Sequence, residues 1–217
     1  MGLSSAHAGQ LARSGWLTRL GQGVYKLPQG ELDRDKALAL LAKHIKGLHV
    51  GSKTALAWRG IRHNITFEER LMLWGEKGKQ LPPWFQSHFK ATYQSTNIFS
   101  DSLPPNFGLA PLPGGHPDVL VSVPERALLE LFSDTGKSQF FEETMHLAEG
   151  THNLRLDVLD TLLTHTTRIK VARFANMVAR EYSLPWQAVA KKHSARLGKQ
   201  TRWIALSSNQ ARICIKP

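Results

Sequence analysis

Hydrophobic residues recur along the chain with two spacings, one typical of helices and one typical of strands. Spacings of three and four predict helices over residues 6–14, 34–46, 53–59, 125–132, 138–149, 155–163, 170–181 and 187–192. Alternation and short apolar runs predict strands over residues 16–20, 24–27, 49–50, 71–74, 92–98, 119–121, 202–206 and 212–215. Prolines and glycines indicate an irregular connector over residues 101–117. The pattern therefore predicts an α+β fold.

The first 27 residues predict a helix followed directly by a β-hairpin. Ser4 and Ser5 are suited to cap the helix, and Gly15 to end it. A glycine-rich turn over residues 21–23 joins the two strands. This is the order of the recognition helix and the wing in a winged helix-turn-helix. A generic fragment of one helix and one hairpin is the alternative interpretation.

Polar side chains on the predicted helix and hairpin are suited to contact DNA. Those of the helix would reach base edges in the major groove, and those of the hairpin would hold backbone phosphates. The predicted DNA-binding residues are Ser4, Ser5, His7, Gln10 and Arg13 on the helix, and Arg19, Gln22 and Lys26 on the hairpin.

The formal net charge of +11 is distributed unevenly along the chain. Residues 1–90 hold 14 Lys and Arg against 6 Asp and Glu, residues 91–150 hold 2 against 8, and residues 151–217 hold 12 against 3. Two basic ends thus flank an acidic middle. Basic patches favour nucleic acid as a partner, because each cation that neutralises a phosphate releases counterions. An ordinary solvated basic surface is the alternative interpretation.

The sequence lacks the motifs of several common enzyme classes. It has no Walker phosphate loop, no dinucleotide-binding fingerprint, no Gly-x-Ser-x-Gly elbow and no His-Glu-x-x-His. Four histidines, His44, His49, His146 and His152, lack the spacing of metal ligands with a carboxylate or cysteine partner. Glu142 and Glu143 diverge on a predicted helix, so they do not form an acid–base pair. We therefore expect no enzyme activity, no metal and no cofactor.

No apolar run is long enough to span a membrane, and the N-terminus lacks the apolar core of a signal peptide. The single cysteine, Cys214, excludes an intramolecular disulfide. These features lead us to expect a cytoplasmic protein with no membrane partner.

Several short segments occur in a fairly specific order along nearly the whole chain. They are residues 14–17, 19–25 with Pro28, 49–51, 54–56 with Gly60, 122–130, 168–179, 185–186, 197–199 and 213–217. Together these segments resemble the AbiEi antitoxin family of type IV toxin–antitoxin systems, which act in abortive infection.

The resemblance implies a two-part protein. We place a winged-helix DNA-binding domain at residues 1–90 and a mixed α/β antitoxin domain at residues 91–217. The first domain would repress its own promoter by binding inverted repeats in double-stranded DNA. The second domain would neutralise a nucleotidyltransferase-like toxin without necessarily forming a stable complex.

One feature departs from the winged-helix pattern. Two helices normally precede the recognition helix of a winged helix-turn-helix, and only Met1-Gly2-Leu3 precede this one. The sequence therefore predicts a winged helix that is truncated at its start or that lacks these helices.

We expect a basic surface in the C-terminal part to carry the antitoxin activity, through RNA, a nucleotide or an acidic protein. Its predicted members are Arg168, Lys170, Arg173, Arg180, Arg196, Lys199 and Arg202. Positions 173 and 180 share one face of a predicted helix. A solvated helix face is the alternative interpretation.

A second hypothesis for the whole chain is an RNA-binding or protein-interaction module without operator binding. Its two basic ends would hold a single strand, with Trp16, Trp84 or Trp203 as stacking platforms. Most of these tryptophans are expected in the core. A neighbouring nucleotidyltransferase gene and inverted repeats upstream would favour the first hypothesis.

Overall fold

The computed structural model describes residues 4–62 and 70–196, and the backbone of two further strands near the C-terminus. Helices and short strands alternate along it, as in an α+β fold. The helices are α1 (Ser5–Arg13), α2 (Arg34–Ala42), α3 (Ser52–Trp58), α4 (Pro83–Gln86), α5 (Pro124–Asp134), α6 (Phe141–Glu149), α7 (Leu156–His165), α8 (Ile169–Glu181) and α9 (Gln187–Arg196). The strands are β1 (Thr18–Gly21), β2 (Val24–Lys26), β3 (His49–Val50), β4 (Leu71–Trp74), β5 (Ala91–Gln94), β6 (Leu109–Ala110), β7 (Val121–Ser122), β8 (Trp203–Leu206) and β9 (Arg212–Ile215).

The N-terminal helix α1 leads directly into the hairpin of β1 and β2. The Ser4 hydroxyl accepts a hydrogen bond from the backbone N–H of His7 at 3.3 Å, as an N-cap residue does. Gly15, with a φ of 80°, follows the helix. The next two backbone N–H groups donate to the carbonyl of Leu11, which joins helix to hairpin. The predicted order of helix and hairpin is present, with Gly21 in β1 rather than in the turn.

Five strands form one mixed sheet in the order β5-β4-β3-β7-β6. β3 is antiparallel to β4 and parallel to β7, whereas β4 and β5 are parallel and β6 and β7 are antiparallel. The domain boundary predicted after residue 90 lies between β4 and β5, which pair along their whole length. Strand β6 lies within residues 101–117, where we predicted only an irregular connector. The sequence pattern did not reveal this strand, because two residues are too few to show the alternation of a strand.

Helix α5 lies at the centre of the helical part. Its residues from Ala127 to Phe132 are almost fully buried, and it packs against α3, α7 and α8. The rings of Phe132 and Phe174 meet edge to face with centroids 4.9 Å apart. Sheet and helices thereby share one continuous hydrophobic core.

A buried carboxylate, that of Glu130 on α5, joins four elements. It accepts hydrogen bonds from the backbone N–H of Ser52 in α3 at 3.0 Å and from Arg126 Nε of α5 at 2.9 Å. It also accepts from Ser122 Oγ of β7 at 2.8 Å, and it lies 2.9 Å from His49 Nε2 of β3. Since the N–H of Ser52 and Arg126 Nε can only donate and each meets a different oxygen, both carboxyl oxygens act as acceptors.

The imidazole of His49 is held at both of its ring nitrogens. His49 Nδ1 lies 2.8 Å from the carbonyl oxygen of Gly47, which can only accept a hydrogen bond. The backbone at Gly47 thus orients the ring so that its other nitrogen, Nε2, faces the Glu130 carboxyl group.

These contacts set the protonation of Glu130. Burial by itself would raise the pKa of Glu130, but His49, Arg126 and the N–H of Ser52 together outweigh burial and hold that pKa below its ordinary value. The stabilisation by Glu130 is therefore complete above the ordinary pKa of 4.5 and is lost as the pH falls toward the folded-state value.

Gly51 allows this network to close. A Cβ atom at position 51 would collide with Glu130 Oε2 and would lie 2.6 Å from Trp74 Cδ1. We predict that Gly51→Ala lowers the free energy of unfolding in urea by about 1–3 kcal/mol, because buried groups must move apart. Gly9→Ala in α1 is the matched control, since nothing lies within 4 Å of its Cβ position. Equal effects of the two substitutions would contradict the prediction.

Candidate nucleic-acid interface

Helix α1 turns a polar side to solvent and a small apolar side to the protein. Ala8 is buried and Leu11 is half-buried. His7, Gln10 and Arg13 are all exposed, and their spacing of three residues places them along one side of the helix. The structure therefore brings these three predicted DNA-binding residues together on a free surface.

Ser4 and Ser5 are exposed at the start of α1. The hydroxyl of Ser4 is engaged in the N-cap, so its oxygen is partly used within the chain. Backbone N–H groups at a helix start favour anions, so this end of α1 is suited to a phosphate. Both serines lie where a groove-binding helix would first meet the duplex.

The hairpin carries its cations on opposite faces. Arg19 pairs with Tyr25 across the strands, and Lys26 pairs with Thr18. Because successive strand residues alternate in direction, Arg19 and Lys26 point to different sides. Gln22 is exposed in the turn between the strands.

The two hairpin cations also differ in their freedom. Arg19 is exposed and donates to the carbonyl of Gly21 at 3.4 Å. Lys26 is half-buried, and its Nζ donates to the carbonyl of Gly30 at 3.1 Å. Arg19 is thus the better placed of the two to meet a phosphate.

Helix α4 packs against strand β1 of the hairpin. A Cβ atom on Gly21 would lie 2.9 Å from Trp84 Cδ1, so glycine permits the close approach of β1 to this indole. Trp84 is 9% exposed and packs edge to face on Phe85. Of the three proposed stacking tryptophans, Trp84 therefore belongs to the core.

A cleft of about 460 Å³ lies where the end of the hairpin meets the chain after α4. It is lined by residues that include Lys26, Gly30 and His88.

Trp16 differs from Trp84, because 71% of it is exposed between α1 and β1. The side chain of Trp203 lies outside the described part of the chain. Trp16 is thus the described tryptophan that remains available as a stacking platform.

The C-terminal cations are not all on one surface. Arg168, Arg180 and Arg196 are exposed. Arg173 is only 8% exposed and Lys170 is half-buried, so neither is an open contact for a partner. Helical spacing in the sequence could not show this, because α8 packs against both α5 and α9. The side chains of Lys199 and Arg202 lie outside the described residues.

Two of the exposed arginines have structural contacts. Arg196 donates to the carbonyls of Leu163 and Thr164 at 3.0 and 2.9 Å, near the C-terminus of α7. Arg168 donates to the carbonyl of Asn97 at 3.3 Å. Among the predicted members, Arg180 lies on the exposed side of α8 near its C-terminal end.

Residues 122–130, one of the segments that carry the family resemblance, have a structural role that their pattern alone did not indicate. Glu125 accepts from the backbone N–H, Nε and Nη2 of Arg155 at the start of α7. Burial alone would raise the pKa of Glu125, but these contacts hold that pKa below its ordinary value. Arg126 and Glu130 belong to the buried network. Carboxylates within a strongly apolar helix were the signal that could have revealed it.

Asp134 and Lys170 form a second polar cluster where α5 ends. Asp134 is 1% exposed, and its Oδ2 has no hydrogen-bond partner among the described residues. Burial and, secondly, the charge of Glu130 raise the pKa of Asp134 to about 7. Lys170 Nζ donates to the carbonyls of Ser133 and Thr135, and burial lowers the pKa of Lys170 to about 8.

The described residues include no helix long and apolar enough to cross a membrane. Within the same ranges, no three potential metal-ligating side chains come together.

Helix α1 with the hairpin of β1 and β2 is a winged-helix-like unit, and a mixed sheet with helices follows it. Residues 1–67 match the family model described as the N-terminal domain of the transcriptional regulator AbiEi antitoxin. Residues 68–216 match the model described as transcriptional regulator, AbiEi antitoxin, type IV toxin–antitoxin system. The chain belongs to this AbiEi antitoxin family, as the sequence motifs predicted, and it is a transcriptional regulator rather than an enzyme.

The fold has a counterpart among solved structures. The crystal structure of the RV2827C protein from Mycobacterium tuberculosis matches with a TM-score of 0.59 at 17% sequence identity. The match covers 90% of this chain and 70% of that chain, which is a similarity of fold. The comparison with curated proteins gave no match.

Because the pKa of Asp134 is raised, we predict that replacing Asp134 by the neutral asparagine changes the free energy of unfolding by an amount that depends on pH. Ionised Asp134 destabilises the folded state, so its cost grows as the pH rises from about 4 to about 7 and is constant above that. We predict that Asp134→Asn raises the free energy of unfolding by on the order of 2 kcal/mol at pH 8. The gain over the unmodified chain should shrink as the pH is lowered in urea unfolding. A gain that is independent of pH would contradict this prediction.

Proposed function

We propose that this antitoxin represses its own operon by binding inverted repeats upstream of it, with α1 in the major groove and the hairpin on the phosphates. The observation that carries the proposal is the exposure of His7, Gln10 and Arg13 along one side of α1, with Arg19 and Gln22 exposed on the adjoining hairpin. A regulator of this kind acts where its operon lies, so we infer a cytoplasmic protein.

The groove contact is assigned to α1. Gln10 and Arg13 lie on its exposed side, and both side chains can make bidentate hydrogen bonds, to adenine and guanine respectively. His7 and Ser5 precede them toward the N-terminus, which is the end that recognition helices direct to base edges. Ser4 is proposed as a phosphate contact. Its hydroxyl oxygen accepts the capping hydrogen bond, which leaves its O–H to donate to a phosphate.

The phosphate contact is assigned mainly to Arg19 and Gln22. Both are exposed, and Gln22 lies at the tip of the hairpin. Lys26 is half-buried and already donates one of its three N–H groups to the Gly30 carbonyl, so we assign it a smaller share of the binding energy. Trp84 of α4 packs against β1 at Gly21 and so contacts the hairpin from the rest of the protein.

Two substitutions separate the groove contact from the phosphate contact. We predict that Arg13→Ala weakens binding to the upstream DNA by about 1–3 kcal/mol and reduces its preference over unrelated DNA. Arg19→Ala should weaken binding to both DNAs alike and reduce the slope of log K against log salt by about 0.9. Gel shifts with the full chain at several salt concentrations measure both effects.

The control for these variants is Lys191→Ala, which removes one exposed charge from α9. It should leave sequence preference unchanged. If Arg13→Ala changes neither affinity nor preference, α1 does not enter the groove as proposed.

We further propose that the toxin partner is a nucleotidyltransferase encoded beside this gene, neutralised without a stable complex. The exposed C-terminal cations Arg168, Arg180 and Arg196 are the surface assigned to this activity. Lys170 and Arg173 are proposed to contribute indirectly, by holding α8, which carries Arg180, in its packed position. An acidic protein, a nucleotide or RNA would each complement such a positive surface.

Charge reversal tests the antitoxin surface. We predict that the double variant Arg168→Glu and Arg180→Glu loses growth rescue when it is co-expressed with the neighbouring toxin. The matched control is Lys36→Glu with Arg62→Glu, two exposed cations in the N-terminal part. Thermal unfolding checks that both variants fold. Equal rescue by the two folded variants would remove the surface from the proposal.

The exposed Trp16 favours a second candidate, the binding of single-stranded nucleic acid by stacking. The two candidate functions differ in whether single-stranded RNA competes with DNA for the chain. Excess single-stranded RNA should displace the chain from DNA only under the second candidate, and Trp16→Ala should then abolish the competition.

A further inference from the structure

A second group of exposed cations lies on two loops outside the helix and hairpin. It joins the end of α2 to the loop after β4. We define this loop patch as Lys43, His44, Lys46, Lys77 and Lys79, all of which are exposed. Within residues 43–46 and 75–80 the acidic residue is Glu76, so the formal charge of the patch is positive with His44 neutral.

Hydrogen bonds hold the two loops together although they are 30 residues apart in sequence. The backbone N–H of Lys46 donates to Glu76 Oε1 at 3.2 Å, and the N–H of Glu76 donates to the carbonyl of Lys46 at 3.1 Å. Tyr93 Oη donates to the carbonyl of Glu76 at 2.7 Å. A Cβ atom on Gly75 would lie 2.6 Å from Tyr93 Oη, so this loop is closely packed. The cations thus project from a fixed backbone.

The charges of the patch are largely unneutralised. Lys79 lies 3.9 Å from Glu76, a weak exposed pair. Lys43, Lys46 and Lys77 form no ion pair within the described residues. The single acidic side chain is turned to the backbone N–H of Lys46, which leaves the patch with a net attraction for anions.

The loop patch is close in sequence to α4, the helix that contacts the hairpin. Lys79 is five residues before Trp84, so their Cα atoms are at most about 17 Å apart. The Trp84 indole contacts the Gly21 position of the hairpin. A duplex carries one phosphate charge per about 1.7 Å of its axis, so about ten charges fall within that distance.

We propose that the loop patch binds the phosphate backbone of the duplex segment next to the one held by α1 and the hairpin. This inference rests on the proposed DNA-binding function and extends its footprint onto the sheet-containing part of the chain. The contact is electrostatic and independent of base sequence, so it adds affinity without adding specificity.

The test compares two triple variants of equal charge. The patch variant carries Lys43→Gln, Lys46→Gln and Lys77→Gln. The control variant carries Lys36→Gln, Lys137→Gln and Lys191→Gln, all exposed residues outside the patch. The probe is a duplex of about three helical turns from the DNA upstream of the coding sequence, titrated with the full chain at several salt concentrations.

We expect the patch variant to lose up to about 2.7 from the slope of log K against log salt, about 0.9 for each phosphate contact. The control variant should keep most of the slope of the unmodified chain, and both should keep its preference for the upstream sequence. Equal slopes for the two triple variants would overturn this inference and leave the proposed function intact. Failure of the unmodified chain to bind the duplex would overturn both.

Discussion

The buried, hydrogen-bonded carboxyl group of Glu130 constrains how the sheet and the helices pack together. One carboxylate fixes β3, α3, β7 and α5, elements that come from residues 49–134. Removing such a charge from water is costly, and only a complete set of donors offsets the cost. Gly51 is required because the carboxylate occupies the space of a side chain, and Ser52 adopts a φ of 51° as it donates to it. The network therefore selects one arrangement of sheet and helices.

The surface that we assign to DNA depends indirectly on this arrangement of sheet and helices. β3 pairs with β4, and the chain after β4 forms α4, whose Trp84 supports the hairpin. Helix α1 is held less firmly, since Ala8 is its one buried residue among those described. A firm hairpin and a lightly held helix suit a DNA-binding unit, because local order can then be completed on binding.

Much of the secondary structure could be predicted from the sequence, because helical and strand periods are local. The order of α1 and the hairpin is one example, and the strand over residues 71–74 is another. Long-range pairing could not be predicted in the same way. Arg173 and Arg180 share a helix face in the sequence pattern, yet neighbouring helices bury only Arg173. The loop patch was missed because Lys46 and Lys77 become neighbours only through the sheet.

We assign the DNA-binding surface of this AbiEi antitoxin to α1 and the hairpin. Hydrogen–deuterium exchange of the full chain, with and without a duplex from the DNA upstream of its gene, tests it most directly. We predict slower exchange on binding in residues 5–13 and 18–26, because bound DNA would suppress local opening of both segments. Protection confined to the C-terminal helices, with unchanged exchange in these two segments, would contradict it.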